Sequence, residues 1–118
     1  MIILGKDSAY IGKEKSLQQA VIKLLRYNGR FAIHVPNGGR RDFKEAISLQ
    51  RQGVIAGCPD ILIFNAKGGP VALELKVKKG VISEHQKSFM IALENVGWRC
   101  FVCYNFKSVE QLLINKEI

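Results

Sequence analysis

Two short runs of apolar, β-favouring residues lie on either side of a glycine-rich segment in the middle of the chain. The runs span residues 61–65 and 71–77, and Ala-Lys-Gly-Gly-Pro separates them. This arrangement is typical of a β-hairpin. In the second run, apolar side chains alternate with Ala72, Glu74 and Lys76. A strand therefore places Glu74 and Lys76 on the same face, two positions apart.

A helical pattern precedes the hairpin. Apolar residues follow the spacing of one helix face at Leu17, Ala20, Val21, Leu24 and Leu25. The helix begins either at a capping box formed by Ser16 and Gln19 or earlier, near Lys13. Asn28 and Gly29 are typical of its end.

Other elements are predicted on both sides of the hairpin. Strands are predicted at residues 30–35 and 98–104, and a short helix at residues 42–52. The capping-box spacing of Asp42 and Glu45 supports the short helix. The start of the chain, residues 1–4, is predicted to be a first strand or an arm.

A longer helix is predicted from Ser83 to Val96, because Gln86 stands at the third helical position after Ser83. Its predicted apolar stripe is Phe89, Met90, Leu93 and Val96. Ser108 is predicted to cap a last helix. Together these elements predict an α/β fold in which helices flank a central mixed β-sheet. A chain of 118 residues is enough for one domain, spanning residues 1–118.

The charge of the chain points to a polyanionic partner. Eighteen Lys and Arg residues against ten Asp and Glu residues give a formal net charge of +8. A balance this basic predicts affinity for nucleic acid first and for an anionic membrane surface second. No apolar run approaches the ~18 residues that a membrane span needs.

The three cysteines are expected to be reduced thiols. Cys100 and Cys103 form a Cys-x-x-Cys motif, which can indicate redox chemistry or zinc. However, they lie in a strand-like run, where residues three apart face opposite sides. A zinc site would also need two more ligands, and no second pair exists. Buried structural thiols are the better interpretation, and they fit an intracellular protein.

The predicted hairpin brings charged side chains together. If its turn is centred near Lys67, Asp60 lies opposite Glu74, with Cβ atoms ~5 Å apart. Two carboxylates at that distance repel, and a cation between them relieves the repulsion. Hard oxygen ligands suit Mg²⁺ or Mn²⁺. Lys76 is then placed to orient a metal-bound water, to assist its deprotonation or to stabilise charge on a phosphate. The alternative is a surface hairpin with an ordinary Glu-Lys pair.

Basic residues elsewhere are candidates for phosphate contacts. Arg40 and Arg41 follow a Pro-Asn-Gly-Gly segment, which is either a phosphate-binding loop or a plain turn. Lys78 and Lys79 extend the basic cluster after Lys76. The amides that open the Ser83 helix also favour phosphate.

The combination of Pro59-Asp60 with Glu74-x-Lys76 resembles the PD-(D/E)xK nuclease superfamily. The resemblance implies a restriction-endonuclease-like core and a divalent metal held by Asp60, Glu74 and the Leu75 carbonyl. It also implies that Lys76 positions or deprotonates the attacking water. The first helix of that superfamily often supplies an acid or an amide near the metal, for which Glu14 and Gln18 are both candidates. Each is otherwise a solvated residue of the first helical turns.

Further motifs narrow the resemblance. Gly57-x-Pro-Asp, Glu74-x-Lys76, Gly80 and Ser83-x-x-Gln86, in this order, resemble the VRR-NUC (virus-type replication–repair nuclease) family. This implies a Mg²⁺- or Mn²⁺-dependent endodeoxyribonuclease, with Gln86 orienting Lys76, water or phosphate. Arg40, Arg41, Lys78 and Lys79 are expected to contact the DNA backbone.

Small stand-alone members of that family imply a homodimer that acts on four-way (Holliday) junctions or other branched DNA. They also imply the cytoplasm of a bacterium or of a phage-infected cell. The alternatives are a nuclease acting on flaps or ordinary duplex, and a non-catalytic DNA-binding subunit of the same fold.

Overall fold

The computed structural model describes residues 1–36 and 42–118. The strands are β1 (Ile2–Leu4), β2 (Ala32–His34), β3 (Ile61–Ile63), β4 (Val71–Leu75) and β5 (Arg99–Cys103). The helices are α1 (Glu14–Tyr27), α2 (Phe43–Arg51), α3 (Glu84–Asn95) and α4 (Phe106–Ile114), with a short 3-10 helix at Lys6–Ser8. No helix within these two described ranges is long and apolar enough to cross a membrane.

The five strands form one mixed sheet in the order β1-β5-β4-β3-β2. β4 pairs in parallel with β5 and antiparallel with β3, so it lies at the centre, where the pairing direction changes. β1 and β2 are the two edges. The prediction of a mixed sheet flanked by helices is confirmed, and so is the hairpin of residues 61–75.

Both faces of the sheet are covered. On one face Val71, Leu73 and Leu75 pack with buried residues of α1 and α4. On the other, Ala72 packs in a second apolar cluster that includes Met90 of α3. All five residues of β4 are buried as a result. Because Glu74 follows Ala72 on the α3 face, its carboxylate is built into a covered surface and does not project into solvent.

Helix starts differ from the predicted ones in two places. α1 begins at Glu14 after Lys13, so the earlier of its two predicted starts is correct and the Ser16–Gln19 capping box is wrong. α4 begins at Phe106, because the Asn105 side chain accepts from the Ser108 amide at 2.8 Å. Ser108 therefore lies inside the first turn, and its prediction as the cap is wrong.

The remaining predictions on the helices and cysteines have mixed outcomes. The Asp42 side chain caps α2 by accepting from the Glu45 amide at 2.7 Å. Cys100 and Cys103 are buried free thiols on opposite faces of the sheet, as predicted. Val96 is 74% exposed, so its place in the apolar stripe of α3 is wrong. The helix ends one residue before it, at Asn95.

Candidate active site

The hairpin register places two carboxylates across from each other. Ile61 pairs with Leu73, so one step further along the two strands Asp60 lies opposite Glu74. Asp60 Oδ2 accepts a hydrogen bond from the Leu75 amide at 2.8 Å. The carboxylate of Asp60 is thereby directed toward the C-terminal end of β4, where Glu74 and Leu75 lie.

Glu74 is buried with only part of its carboxylate satisfied. Glu74 is 2% exposed, and its Oε2 accepts a hydrogen bond from Gln86 Nε2 at 3.0 Å. Lys76 Nζ lies 3.5 Å from the same oxygen. Oε1 is buried and has no hydrogen-bond partner among the described residues. An orphaned carboxylate oxygen is costly in a protein interior, so the site is suited to a cation or a proton.

Both carboxylates have raised pKa values, and burial is the largest cause for each. Burial and then the charge of Asp60 raise the pKa of Glu74, Lys76 lowers it, and the net result is a pKa of about 8. Burial also raises the pKa of Asp60, against the lowering effect of the Leu75 amide. The pair therefore retains a proton at neutral pH when no other cation is present.

Glu14 is electrostatically part of this group. Burial and then the charge of Asp60 raise the pKa of Glu14, while Lys76 and His34 lower it. The charge of Glu14 in turn raises the pKa of Glu74. Gln18 lies one turn further along α1 and makes no side-chain hydrogen bond within residues 1–36 and 42–118.

The donor set fits a hard divalent cation. The Asp60 and Glu74 carboxylates, which the hairpin places opposite each other, are oxygen donors, and oxygen donors suit Mg²⁺ and Mn²⁺. The orphaned Glu74 Oε1 is the atom that such a cation would satisfy. Within the described part of the chain, no three side chains of His, Cys, Asp and Glu form a ready-made metal cluster.

Gln86 has two contacts, one at each end of its side-chain amide. Its Oε1 accepts from the Ser83 amide at 2.9 Å, which completes the predicted capping box of α3. Its Nε2 donates to Glu74. The residue therefore fixes the start of the helix and the rotamer of the buried carboxylate at once.

Gly57 explains how the Gly-x-Pro-Asp loop approaches α3. Its φ is +94°, and a Cβ at this position would meet the His85 carbonyl group and the Gln86 amide. Only glycine permits both this backbone conformation and this contact. The loop that leads to Asp60 thus packs directly on the first turn of α3, beside Gln86.

Two contacts at this end of the sheet were not predicted. His34 Nδ1 lies 2.9 Å from the Asp60 carbonyl oxygen, and the Tyr104 hydroxyl donates to the Gly80 carbonyl at 2.6 Å. The His34 contact depends on the pairing of β2 with β3, which separates the two residues by 26 positions. The only sequence signal was the presence of a histidine at the end of a predicted strand.

The predicted DNA-contacting residues fall into two groups. Lys78 and Lys79 are exposed in the turn that directly follows β4 and Lys76. Arg40 and Arg41 lie outside the described residues.

Comparison with known proteins agrees with this architecture. A family model described as "VRR-NUC domain" matches residues 12–107. A solved "VRR_NUC domain protein" is similar with a TM-score of 0.67 and 22% identity, covering 89% of this chain and 90% of that one. A solved "VRR_NUC domain" gives a TM-score of 0.60 and 21% identity, covering 85% and 92%. No curated protein matches the chain. The match over residues 12–107 shows that the chain belongs to the VRR-NUC family, a family of nuclease domains.

Proposed function

We propose that the protein is a Mg²⁺- or Mn²⁺-dependent endodeoxyribonuclease that acts on four-way junctions or other branched DNA. One observation carries this proposal above the others. The Glu74 carboxylate is buried opposite Asp60 and beside Lys76, with one oxygen left without a partner among the described residues. A protein that only binds DNA gains nothing from this costly arrangement.

In the proposed reaction, Asp60, Glu74, the Leu75 carbonyl and Glu14 would hold the cation. When bound, a divalent metal supplies positive charge to the scissile phosphate and makes water a better nucleophile at neutral pH. Asp60 and Glu74 keep their positions through the Leu75 and Gln86 hydrogen bonds, so the oxygen donors are oriented before substrate arrives.

Lys76 is the proposed partner of the attacking water. Its ammonium group lies 3.5 Å from Glu74 Oε2, and its side chain is only 15% exposed. From this position the ammonium form orients the water and stabilises the negative charge that develops on the phosphate, and the neutral amine accepts the proton that the water loses. Gln86 acts by holding the Glu74 carboxylate in place.

The proposed substrate geometry requires two sites. One domain with one site cuts one strand at a time, whereas resolving a junction takes two matched cuts, which a two-fold dimer supplies. Apolar side chains are exposed on the β1 edge at Ile2 and Ile3, and aromatic ones at Phe31 and Phe64 near Trp98. These two surfaces are the proposed candidates for the dimer interface.

The test compares purified protein on four-way, flap, single-stranded and linear duplex DNA with Mn²⁺, Mg²⁺ or EDTA, together with light scattering. We expect metal-dependent cleavage, two symmetric nicks in the junction and the mass of a dimer. Equal cleavage of junction and linear duplex, or the mass of a monomer, would refute the branched-substrate proposal alone. Absence of metal-dependent cleavage on every substrate would refute the nuclease mechanism.

The +8 charge supports backbone contacts that do not depend on sequence. Each neutralised phosphate contributes about −0.9 to the slope of log K against log salt on duplex DNA. Double substitution of Arg40 and Arg41 to Gln should therefore flatten this slope. An unchanged slope would favour the alternative interpretation, in which Arg40 and Arg41 do not contact the DNA backbone.

A further inference from the structure

The turn after β4 has an unusual backbone for its sequence. The Gly80 amide donates to the Val77 carbonyl at 2.9 Å, which closes a four-residue turn around Lys78 and Lys79. Both lysines have positive φ, 52° and 57°. Positive φ at both central positions is the mark of a type I′ turn, where Gly, Asn and Asp are strongly preferred. Two consecutive lysines are therefore held in a conformation that their side chains disfavour.

Two hydrogen bonds from outside the turn hold it in this conformation. The Lys78 amide donates to the Tyr10 carbonyl at 2.9 Å. The buried Tyr104 hydroxyl donates to the Gly80 carbonyl at 2.6 Å. The burial of Tyr104 and the charge of Glu74 raise the pKa of its hydroxyl, so the hydroxyl remains a donor at neutral pH. The turn is thus fixed from both sides of its backbone.

The lysine side chains themselves do not account for the strain. Both are exposed, and neither forms a salt bridge with a carboxylate in the described part of the chain. A stability-driven sequence would place glycine or asparagine at these positions. The hydrogen bonds that hold the strained turn involve its backbone and not the lysine side chains, so the choice of lysine at both positions is a reason to look for function.

The position of the turn indicates that function. Lys79 is three residues beyond Lys76, so the two backbones lie at most about 10–11 Å apart. Two exposed lysines on a turn whose backbone lies this close to Lys76 put positive charge in the neighbourhood of the carboxylate pair. A phosphodiester backbone is the polyanion that such a positive turn fits.

We propose that the strained Lys78-Lys79 turn is a rigid phosphate-binding edge that grips the DNA backbone next to the scissile phosphate, and that Tyr104 is its positioning residue. This rests on the proposed function, because DNA is taken as the polyanion. In this proposal the strain is retained because the turn holds both lysines next to the substrate backbone. Stability and DNA affinity are therefore opposed at these two residues.

Lys116 provides a matched control. It also has positive φ, 58°, and is exposed. It lies at the other end of the sheet, since nearby Ile118 accepts from the Lys67 amide in the turn that precedes β4. Like Lys78→Gly and Lys79→Gly, the substitution Lys116→Gly removes one positive charge and one strained residue, but it does so far from the carboxylate pair.

The test measures Lys78→Gly, Lys79→Gly and Lys116→Gly for thermal stability and for binding to a four-way junction and a duplex in EDTA across a salt series. We expect all three variants to raise Tm by roughly 2–6 °C. Only the first two should weaken binding, by roughly five- to ten-fold near 0.1 M salt, with the slope of log K against log salt about 0.9 shallower. Wild-type affinity and slope in Lys78→Gly and Lys79→Gly would overturn the proposal, and so would equal losses in Lys116→Gly.

Two further comparisons separate the parts of the proposal. Lys78→Gln and Lys79→Gln remove the charge and keep the strain, so they should lose affinity without gaining Tm. Tyr104→Phe removes only the hydroxyl and should weaken binding although no charge is lost; unchanged affinity would overturn its positioning role. Because all binding is measured without metal, these results do not depend on cleavage, and a failure of the proposed nuclease chemistry remains distinguishable.

Discussion

The carboxylate of Asp60 is hydrogen-bonded to the main-chain amide of Leu75, at 2.8 Å across the hairpin. The acid is therefore oriented by the backbone of the strand that carries Glu74, and not by a mobile side chain. This contact couples the geometry of the proposed metal site to the register of two strands. A change in the register would remove the site together with the pairing.

Asp60→Asn and Glu74→Gln should each abolish cleavage and leave DNA binding and folding in place. The reason is that each removes one charged oxygen ligand while keeping the size of the side chain. Cleavage of a labelled junction with Mn²⁺, and binding in EDTA, would measure the two effects separately. Glu117→Gln, an exposed acid, is the control and should cut like wild type. Metal-dependent cleavage by both site variants would contradict the assignment.

The metal-free protein should lose stability as the pH rises from about 4.5 to about 8. Glu74 has a folded-state pKa of about 8 against an ordinary value of 4.5, so between these values the folded state binds the extra proton. Folding then weakens with rising pH, by up to about 1.4 kcal/mol per pH unit. The raised pKa of Asp60 acts in the same direction.

Urea unfolding across this pH range in EDTA would measure the effect as a difference between wild type and Glu74→Gln. The variant cannot ionise at this position, so its stability should overtake that of wild type at high pH. Saturating Mg²⁺ or Mn²⁺ should restore the stability of wild type and have a smaller effect on Glu74→Gln. If the difference between the two proteins were flat with pH, Glu74 would not hold the proton.

Lys76→Ala should lower the single-turnover cleavage rate by about 10²-fold, the scale of a positioned proton-transfer group. Metal affinity should change little, because the oxygen donors remain. Lys87→Ala is a suitable control, since Lys87 is an exposed lysine paired with Glu84 on α3. A wild-type rate in Lys76→Ala would leave Lys76 as a structural partner of Glu74 only.

Gln86→Ala should reduce both stability and cleavage, whereas Ser83→Ala should reduce stability alone. Both substitutions break the capping box, at a cost of about 1 kcal/mol. Only Gln86→Ala also frees the Glu74 carboxylate. Comparing Tm and single-turnover rates of the two variants isolates that contact. Equal cleavage by both would mean that Gln86 serves the helix alone.

The hairpin was predictable because its signals are local. The alternation in β4 and the glycine-rich turn determine which residues oppose each other. The opposition of Asp60 and Glu74 could therefore be predicted. The capping box of α3 is local too. The contact from Gln86 to Glu74 needed one more fact, that the first turn of α3 packs beside the end of β4.

Helix starts and long-range contacts were harder for physical reasons. Asn105 and Ser108 are both good capping residues, and the choice between them depends on where β5 ends. The His34 contact with Asp60 depends on strand pairing across 26 positions, which no periodicity encodes. Val96 fitted an apolar spacing, but the helix stops before it and leaves it in solvent.

The central position of β4 has a consequence for local opening. The strand pairs with β3 on one side and β5 on the other, the Leu75 amide donates to the Asp60 carboxylate, and the side chains of β4 are buried on both faces. Amide exchange at Leu73 and Leu75 should therefore require global unfolding, while the edge strand β1 frays more readily. The proposed catalytic scaffold would then be as persistent as the fold itself. Control of the proposed nuclease would then act on the access of DNA or metal and not on local opening of β4.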